Sequence, residues 1–255
     1  YNIIIGENEL GEPIRLLNES VLNGSIILIL VSCTLSSFVT MSNGEKMAQA
    51  ENEGAITDNN HDEEKILLTL NYEQTVDPLV NLGLIVKNHS NKENLFALNI
   101  INEDKNESSV KNAEKLLHTA VSTAAAADIK IQPLKRYDND VINGIANVIK
   151  EKQITDLIIG IEASKGFSPS MVYNMYNGYL LNKNVNVLIY HAAQPIATIK
   201  KQIVIIPQNA ETEAGFFYAL LRVWNIARNS GAVLDFYAFQ PTIYVLKSII
   251  KKVNI

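Results

Sequence analysis

Residues 155–178 contain the groups best suited to binding a charged ligand. They read T-D-L-I-I-G-I-E-A-S-K-G-F-S-P-S-M-V-Y-N-M-Y-N-G, which is a short apolar strand, a small-residue loop and a helical pattern. The loop contains Gly160, Ser164, Lys165 and Gly166. Glycine amides approach phosphate oxygens closely, and a helix N-terminus favours negative charge. The favoured interpretation is nevertheless that Lys165 is a solvated surface lysine and Gly166 a turn residue; the alternative is a phosphate or small-anion site.

Groups that could support catalysis or hold a metal ion are scattered along the chain. His89, His118 and His191 are far apart in sequence, and no G-x-S-x-G motif is present. Glu162 is the only acid close to the loop, and a lone carboxylate forms neither an acid/base pair nor a magnesium cage. We therefore predict no catalytic residue and no metal site.

The composition is that of a globular chain with an acidic balance. Its 255 residues carry a net charge of -5, with 47% hydrophobic and 19% charged residues. Nucleic-acid partners normally require a basic face, so the charge argues against them. The single cysteine, Cys33, cannot form an internal disulfide, which fits a reducing compartment. The bulk of the chain is thus expected in the cytoplasm.

One segment is apolar enough to enter a membrane. No charged residue occurs from 20 to 44, and a helix over about 20–43 can cover a hydrocarbon thickness of ~30 Å. The hydroxyls of Ser32 and Thr34 do not forbid this, because they can bond carbonyls one turn back. We predict a transmembrane helix within residues 1–44. The alternative is a buried helix of a soluble domain, and a signal peptide is disfavoured because no basic segment precedes the run.

After a polar, acidic linker at 45–64, strands alternate with helices. Strict alternation predicts a parallel sheet with helices on both faces. We therefore predict an α/β fold with a doubly wound parallel sheet over 65–192. Its predicted strands are Lys65–Leu70, Asn94–Ile101, Lys130–Tyr137, Asp156–Ile161 and Val185–Tyr190. Its predicted helices are Gln74–Asn88, Glu107–Asp128, Asp140–Lys152 and Met171–Leu181.

The pattern then restarts, so the domain is partially duplicated. K-Q-I-V-I-I-P-Q at Lys201 parallels E-K-I-L-L-T-L-N at Glu64, a spacing of about 135 residues that suits duplicated domains. The second copy, residues 200–255, stops after two strands. Because the first residue is Tyr1 and not methionine, we expect a fragment of a longer protein.

An aromatic group accompanies the second copy. Phe216, Phe217, Tyr218 and Trp224 lie at helical spacing. Such spacing is typical of one buried helix face. The group is expected to form core or an interface between the two domains.

Together these stretches resemble a known family. The first α/β domain is similar to a universal stress protein domain, which implies a flavodoxin-like fold. The whole resembles the C-terminal region of a bacterial sodium/proton antiporter of the monovalent cation:proton class. Three stretches carry the resemblance: G-E-N-E-L-G-E-P-I-R-L-L-N-E-S-V-L-N-G-S-I-I-L-I-L-V-S-C-T-L-S-S-F-V-T, R-Y-D-N-D-V-I-N-G-I and I-I-P-Q-N-A-E-T-E-A-G-F. In this order and spacing, the three stretches span nearly the whole chain.

The resemblance implies a membrane protein that exchanges Na+ or another monovalent cation for H+. The transport domain would lie upstream of Tyr1, and residues 1–44, with the last membrane helix at about 20–43, would form the end of the membrane domain. This chain would be the regulatory tail of the transport domain. The implied location is the inner (plasma) membrane, with residues from about 45 onward in the cytoplasm, and the implied assembly is a homodimer. The alternative is a soluble universal stress protein that binds a nucleotide.

The resemblance also implies where a nucleotide would bind, and the motif is only half present. Such proteins use G-x-x-G followed later by G-S or G-T; here Gly160, Ala163 and Gly166 fall in the loop, while Tyr173 and Asn174 replace the later pair. An aspartate normally follows the first strand to meet the adenosine, and Asn71 stands there, with Gln208 in the second copy. We therefore expect no obligatory cofactor, with ATP or another nucleotide as the alternative.

Overall fold

The computed structural model describes eight segments of the 255-residue chain. They are 4–7, 9–11, 13–15, 23–36, 64–87, 94–102, 107–162 and 185–253. The predicted linker at 45–64 and the predicted helix Met171–Leu181 lie outside them, apart from Glu64. The chain divides into two compact units, Tyr1–Glu51 and Asn52–Ile255.

The first unit contains a hairpin and a helix. Strand β1 (Ile4–Glu7) pairs antiparallel with β2 (Pro13–Arg15). Gly11, between them, has φ 76°, a left-handed conformation that glycine adopts without steric cost. Helix α1 covers residues 23–36.

Helix α1 lies inside the predicted membrane span, and the remainder of that span is outside the described residues. Every described side chain of α1 is exposed, including Leu28 and Leu30 at 71% and 61%. Among the helices of the described segments, none is long and apolar enough to cross a membrane.

The second unit is built on a five-stranded sheet. Its strands are β3 (Ile66–Thr69), β4 (Leu95–Ile101), β5 (Ile131–Tyr137), β6 (Asp156–Gly160) and β7 (Asn186–Tyr190). They are parallel, in the order β5-β4-β3-β6-β7. The predicted α/β class with a parallel sheet is confirmed. Counted along this domain the order is 3-2-1-4-5, which refines the flavodoxin-like expectation because flavodoxin itself has 2-1-3-4-5.

Helices cover both faces of this sheet. Helices α2 (Glu73–Val86) and α3 (Glu107–Ala125) pack on the face that includes Leu68, whereas α4 (Val141–Lys152) packs on the face that includes Leu67. Neighbouring strand residues point to opposite faces, so an apolar run such as I-L-L in β3 is buried on both sides. The doubly wound arrangement follows from this pattern.

The local start of α4 shows how the sequence sets its position. Asp140 caps the helix by accepting from the amides of Ile142 at 2.7 Å and Asn143 at 3.3 Å. A Cβ at Gly144 would lie 2.5 Å from Ile100 Cδ1 and 3.1 Å from Asp138 Cβ, so any larger residue would require these side chains to shift. The segment R-Y-D-N-D-V-I-N-G-I thus has a structural explanation.

The second copy forms a smaller layer of its own. Strands β8 (Lys201–Ile205) and β9 (Val233–Tyr237) pair in parallel, with α5 (Phe216–Ser230) between them in sequence and α6 (Gln240–Val253) after them. Their core contains six buried residues: Ile206, Phe216, Phe217, Leu220, Leu246 and Ile249.

The aromatic group belongs mainly to this second core. Phe216 and Phe217 are buried there, and Trp224 packs edge-on against Phe236 with ring centroids 6.4 Å apart. Of the two expectations for this group, core is the one that the structure favours. The contact between the copies is made by other residues of α5, described below.

Strand pairing also corrects the alignment of the two copies by one residue. The amide of Leu70 donates to Leu98 at the end of β3, and the amide of Ile206 donates to Tyr237 at the end of β8. Ile206 therefore corresponds to Leu70, and Pro207, not Gln208, corresponds to Asn71. A one-residue shift would turn every side chain to the other face of the sheet.

Candidate functional site

The carboxyl edge of the five-stranded sheet has the topology at which ligands of doubly wound sheets bind. Strands β3 and β6 are neighbours, with Thr69 opposite Ile159. From β3 the chain passes through α2 to β4 on one side, whereas from β6 it returns as β7 on the other side. Ligands of doubly wound sheets bind where the connections diverge in this way. The predicted loop after Gly160 leaves from this point.

Asn71 lies at this edge and is exposed. It comes two residues after β3 and two before α2, whose first turn is tightened by a bond from Thr75 Oγ1 to the carbonyl of Tyr72 at 2.9 Å. The preceding carbonyl, that of Leu70, accepts from Asn99 Nδ2 at 2.6 Å. A neighbouring amide side chain thus holds the strand end and leaves Asn71 facing solvent.

Gly160 has a packing role at the same edge. It is the last residue of β6 and is buried, and a Cβ there would lie 2.6 Å from Leu79 Cδ1 of α2. Glycine is therefore needed for the close approach of α2 to the sheet, one of the reasons for which glycines occur in nucleotide-binding strand-to-helix turns. Its predicted part in ligand binding stays a prediction.

The other predicted site residues lie outside the described residues: Ser164, Lys165, Gly166 and Asn174. Directly after β7, His191 Nδ1 is 3.5 Å from the carbonyl oxygen of Ile161. Burial raises the pKa of Tyr190, which ends β7 at this edge, and so keeps its hydroxyl protonated as a donor. The described part of this edge offers mainly neutral groups that can donate or accept hydrogen bonds.

Metal binding has no structural support in the part of the chain that the structure describes. No group of three His, Cys, Asp or Glu side chains is placed there to hold an ion.

A charged cluster occupies the opposite, amino edge of the same sheet. Arg222 of α5 donates from Nε and Nη2 to the two carboxylate oxygens of Asp156, at 2.6 and 2.7 Å, and from Nη1 to Glu64. Asp156, fully buried, also accepts from Thr155 Oγ1 at 2.6 Å and from Asn186 Nδ2 at 3.2 Å. Bidentate arginine–carboxylate pairs are among the stronger hydrogen-bonded contacts.

The electrostatics of this cluster favour its charged state. Burial by itself lowers the pKa of Arg222, but the carboxylates of Asp156 and Glu64 outweigh burial and hold it above its ordinary value. Burial also lowers the pKa of Lys87, and the charge of Glu64 partly offsets that effect. Two acids and two bases are thus collected around the start of β3 and β6.

Two asparagines extend the same contact to the end of α2. Asn225 Nδ2 donates to the carbonyl of Val86 at 3.2 Å, and Asn229 Nδ2 donates to the carbonyls of Ile85 at 2.6 Å and Lys87 at 3.4 Å. The last carbonyls of a helix have no partner within it. Helix α5 therefore supplies the cap for α2 from a distant part of the sequence.

Sequence reasoning missed this cluster. The weak sequence signal for the cluster is an aspartate at the first position of the buried strand D-L-I-I-G, together with the spacing R-x-x-N-x-x-x-N in α5. Charges at the start of a buried strand need a partner. That partner, Arg222, is 66 residues from Asp156, so the local sequence does not identify it.

Comparison with known proteins gives limited likeness. No family model and no curated protein matches the chain. A universal stress protein from Archaeoglobus fulgidus is similar in structure at 12% identity and TM-score 0.39, covering 49% of this chain and 97% of that chain. The structure of the universal stress protein from the same organism in complex with dAMP is similar at 12% identity and TM-score 0.37, covering 49% and 96%.

Proposed function

We propose that this chain is the regulatory C-terminal part of an inner-membrane antiporter that exchanges Na+ or another monovalent cation for H+. In this proposal α1 belongs to the last membrane helix, and residues from about 45 onward are cytoplasmic and non-catalytic. The transport domain, which binds Na+ and H+, is upstream of Tyr1, and the protein is a homodimer.

The observation that carries the proposal is the surface of α1. Large apolar side chains are exposed all around it: Ile26, Ile27, Leu28, Ile29, Leu30, Val31 and Leu35. Leaving such surface in water costs about 25 cal/mol per Å². An apolar solvent removes that cost, and a helix satisfies its own backbone groups there.

The hydroxyl groups of α1 fit the same surroundings. Ser32 Oγ donates to the carbonyl of Ile29 at 3.0 Å, and Thr34 Oγ1 lies 2.8 Å from the carbonyl of Leu30. These bonds are those predicted from the sequence, one turn back along the helix. The described 14 residues, 23–36, rise about 21 Å at 1.5 Å each, so the proposal requires the helix to continue into the rest of 20–43.

Membrane extraction tests the attachment. Membranes that contain the full chain are washed with alkaline carbonate, and the chain is expected to remain in the pellet. Release into the wash, with the apolar helix intact, would contradict the proposal. Replacing Leu28 and Leu30 by lysine should release the chain, whereas replacing Ser32 by alanine should not.

The reading frame ahead of Tyr1 tests the antiporter itself. The proposal predicts many apolar spans upstream. An initiator methionine directly ahead of Tyr1 would instead favour a soluble protein.

A second function, nucleotide binding, is favoured by the divergence of connections between β3 and β6. Asn71 stands at this point, and the half-kept glycine loop follows β6. Titration of the full chain with ATP tests this function. Binding that is abolished by Gly166→Val and unchanged by Gly6→Val, a control in β1 with open space around the glycine, would establish it. Absence of ATP binding would contradict nucleotide binding by this loop.

A further inference from the structure

Helix α5 presents two different faces to two different cores. Phe217 and Leu220 lie in the core of the second copy. Arg222, Asn225 and Asn229 instead contact the first copy. Residues separated by three, four and seven positions share one side of a helix. The three polar residues therefore form a single recognition face.

The surface that receives this face is specific for it. Asp156 and Glu64 are buried carboxylates that need a cation with several donors, a requirement that arginine meets because of its planar fork. The carbonyls at the end of α2 need donors as well, and the asparagine amides supply them. An unpaired charge or carbonyl at this position would be costly, and the docking arrangement in the structure gives each of these groups a partner.

The two copies have separate cores on either side of this contact. The buried members of the second core all lie between 206 and 249. The buried members of the two cores of the first copy lie between 66 and 159, apart from Ile196 in the connection. Ile226 of α5 packs partly against the first copy, and the remaining described contacts of the recognition face are polar.

We propose that Arg222, Asn225 and Asn229 form a releasable latch between the two copies. Closed, the latch makes the copies one cooperative body; opened, it frees the second copy while the first remains folded. The asparagines of the latch donate hydrogen bonds to the last turn of α2, whose first turn begins two residues after Asn71. It depends on neither membrane attachment nor a ligand, so its test needs neither transport nor binding.

Urea unfolding with two probes tests the latch. Trp224 is the single tryptophan and lies in α5, so its fluorescence follows the second copy, whereas far-ultraviolet circular dichroism follows both. In the wild-type full chain the two transitions should coincide, as expected for one cooperative unit. In Arg222→Met the fluorescence transition should move to lower urea, separated from the main circular dichroism transition.

The matched control is Arg228→Met, which makes the same replacement at an exposed position of the same helix and should leave both transitions in place. Asn229→Leu removes the cap of α2 without leaving a buried charge unpaired, and should separate the transitions in the same direction by less. Asn229→Leu still tests the proposal if Arg222→Met does not fold. The latch is overturned if the two probes still coincide in both variants, whether or not their common midpoint moves.

Cleavage in the connection gives a second readout. Trypsin cuts after Lys200, which directly precedes β8 and is exposed. Arg222→Met should be cut there at least about tenfold faster than Arg228→Met, because loss of a buried pair shifts a closed state strongly toward opening. Equal rates in the two variants would contradict release at this contact.

Discussion

The two edges of the five-stranded sheet differ in charge and in burial. At the amino edge, Asp156 and Glu64 are buried and paired with Arg222. At the carboxyl edge, where ligands of this fold class bind, Asn71 is neutral and exposed. Buried charge thus serves the contact between the copies, whereas the expected ligand edge has an amide where an acid would bind a hydroxyl more strongly.

This difference has a physical consequence for function. A buried ionic contact is sensitive to the loss of either partner, because the remaining charge stays in a poorly solvated place. An exposed amide can change with little effect on folding. Structural and ligand-dependent effects should therefore separate when equivalent substitutions are made at the two edges.

The largest effect is expected from reciprocal substitutions at these edges. Asp156→Asn keeps the shape but removes the charge that Arg222 requires, and should lower the free energy of unfolding by about 3 kcal/mol. Asn71→Asp, the reverse change on the exposed edge, should alter it by less than about 0.5 kcal/mol. Urea denaturation measures both. Equal losses would remove the distinction between the edges.

A smaller loss is expected from Gly160→Ala. The added methyl group would meet Leu79, which is fully buried, so the free energy of unfolding should fall by about 1–3 kcal/mol. In a Leu79→Ala background the same change should cost much less, because the clash is gone. A cost that is independent of Leu79 would show that Gly160 is not required for helix packing.

The nucleotide-binding proposal predicts that an acid in place of Asn71 raises the affinity of the carboxyl edge for adenosine. Asn71→Asp should bind adenosine about fivefold more tightly than the wild type, because a carboxylate forms a charge-assisted bond with a ribose hydroxyl. Adenosine is the suitable probe since it carries no phosphate charge to repel the new carboxylate. Calorimetric titration that finds no difference would remove Asn71 from the candidate site.

The smallest expected effect is a pH dependence at the amino edge. Burial lowers the pKa of Lys87 from 10.5, so between the lowered value and 10.5 the unfolded chain binds more protons than the folded chain. In that window the free energy of unfolding rises with pH. The wild type should therefore gain stability relative to Lys87→Met as pH rises toward 10.5, with Glu64 limiting the gain. A difference in the free energy of unfolding between the wild type and Lys87→Met that stays constant with pH would contradict this prediction.

The sequence predicts the first sheet well because its information is local. Runs such as L-I-I in β6 are typical of strands buried on both faces, and the spacing in α3 predicts one buried face. The alignment of the two copies that the sequence predicts is wrong by one residue, because the apolar run I-V-I-I at 203–206 fits β3 in either of two registers. Only the pairing of Ile206 with Tyr237 decides it.

The candidate site was predicted less completely. Asn71 and Gly160 lie at the expected edge, but the packing of Gly160 on Leu79 depends on how α2 crosses the sheet. The pairing of Arg222 with Asp156 depends on how the second copy docks. Sequence separation and residue type do not reveal such contacts, because the partner of a buried charge is identified only in the three-dimensional structure.

Hydrogen exchange of the full chain tests most directly whether the amino edge is locked and the carboxyl edge is accessible. The amides of Ile66, Asp156 and Asn186 are bonded within the amino edge, and we expect them to exchange only on global unfolding. Peptides that contain Asn71, Tyr72 and residues 191–194 should exchange much faster through local opening. Exchange at the amino edge as fast as at the carboxyl edge would contradict the account.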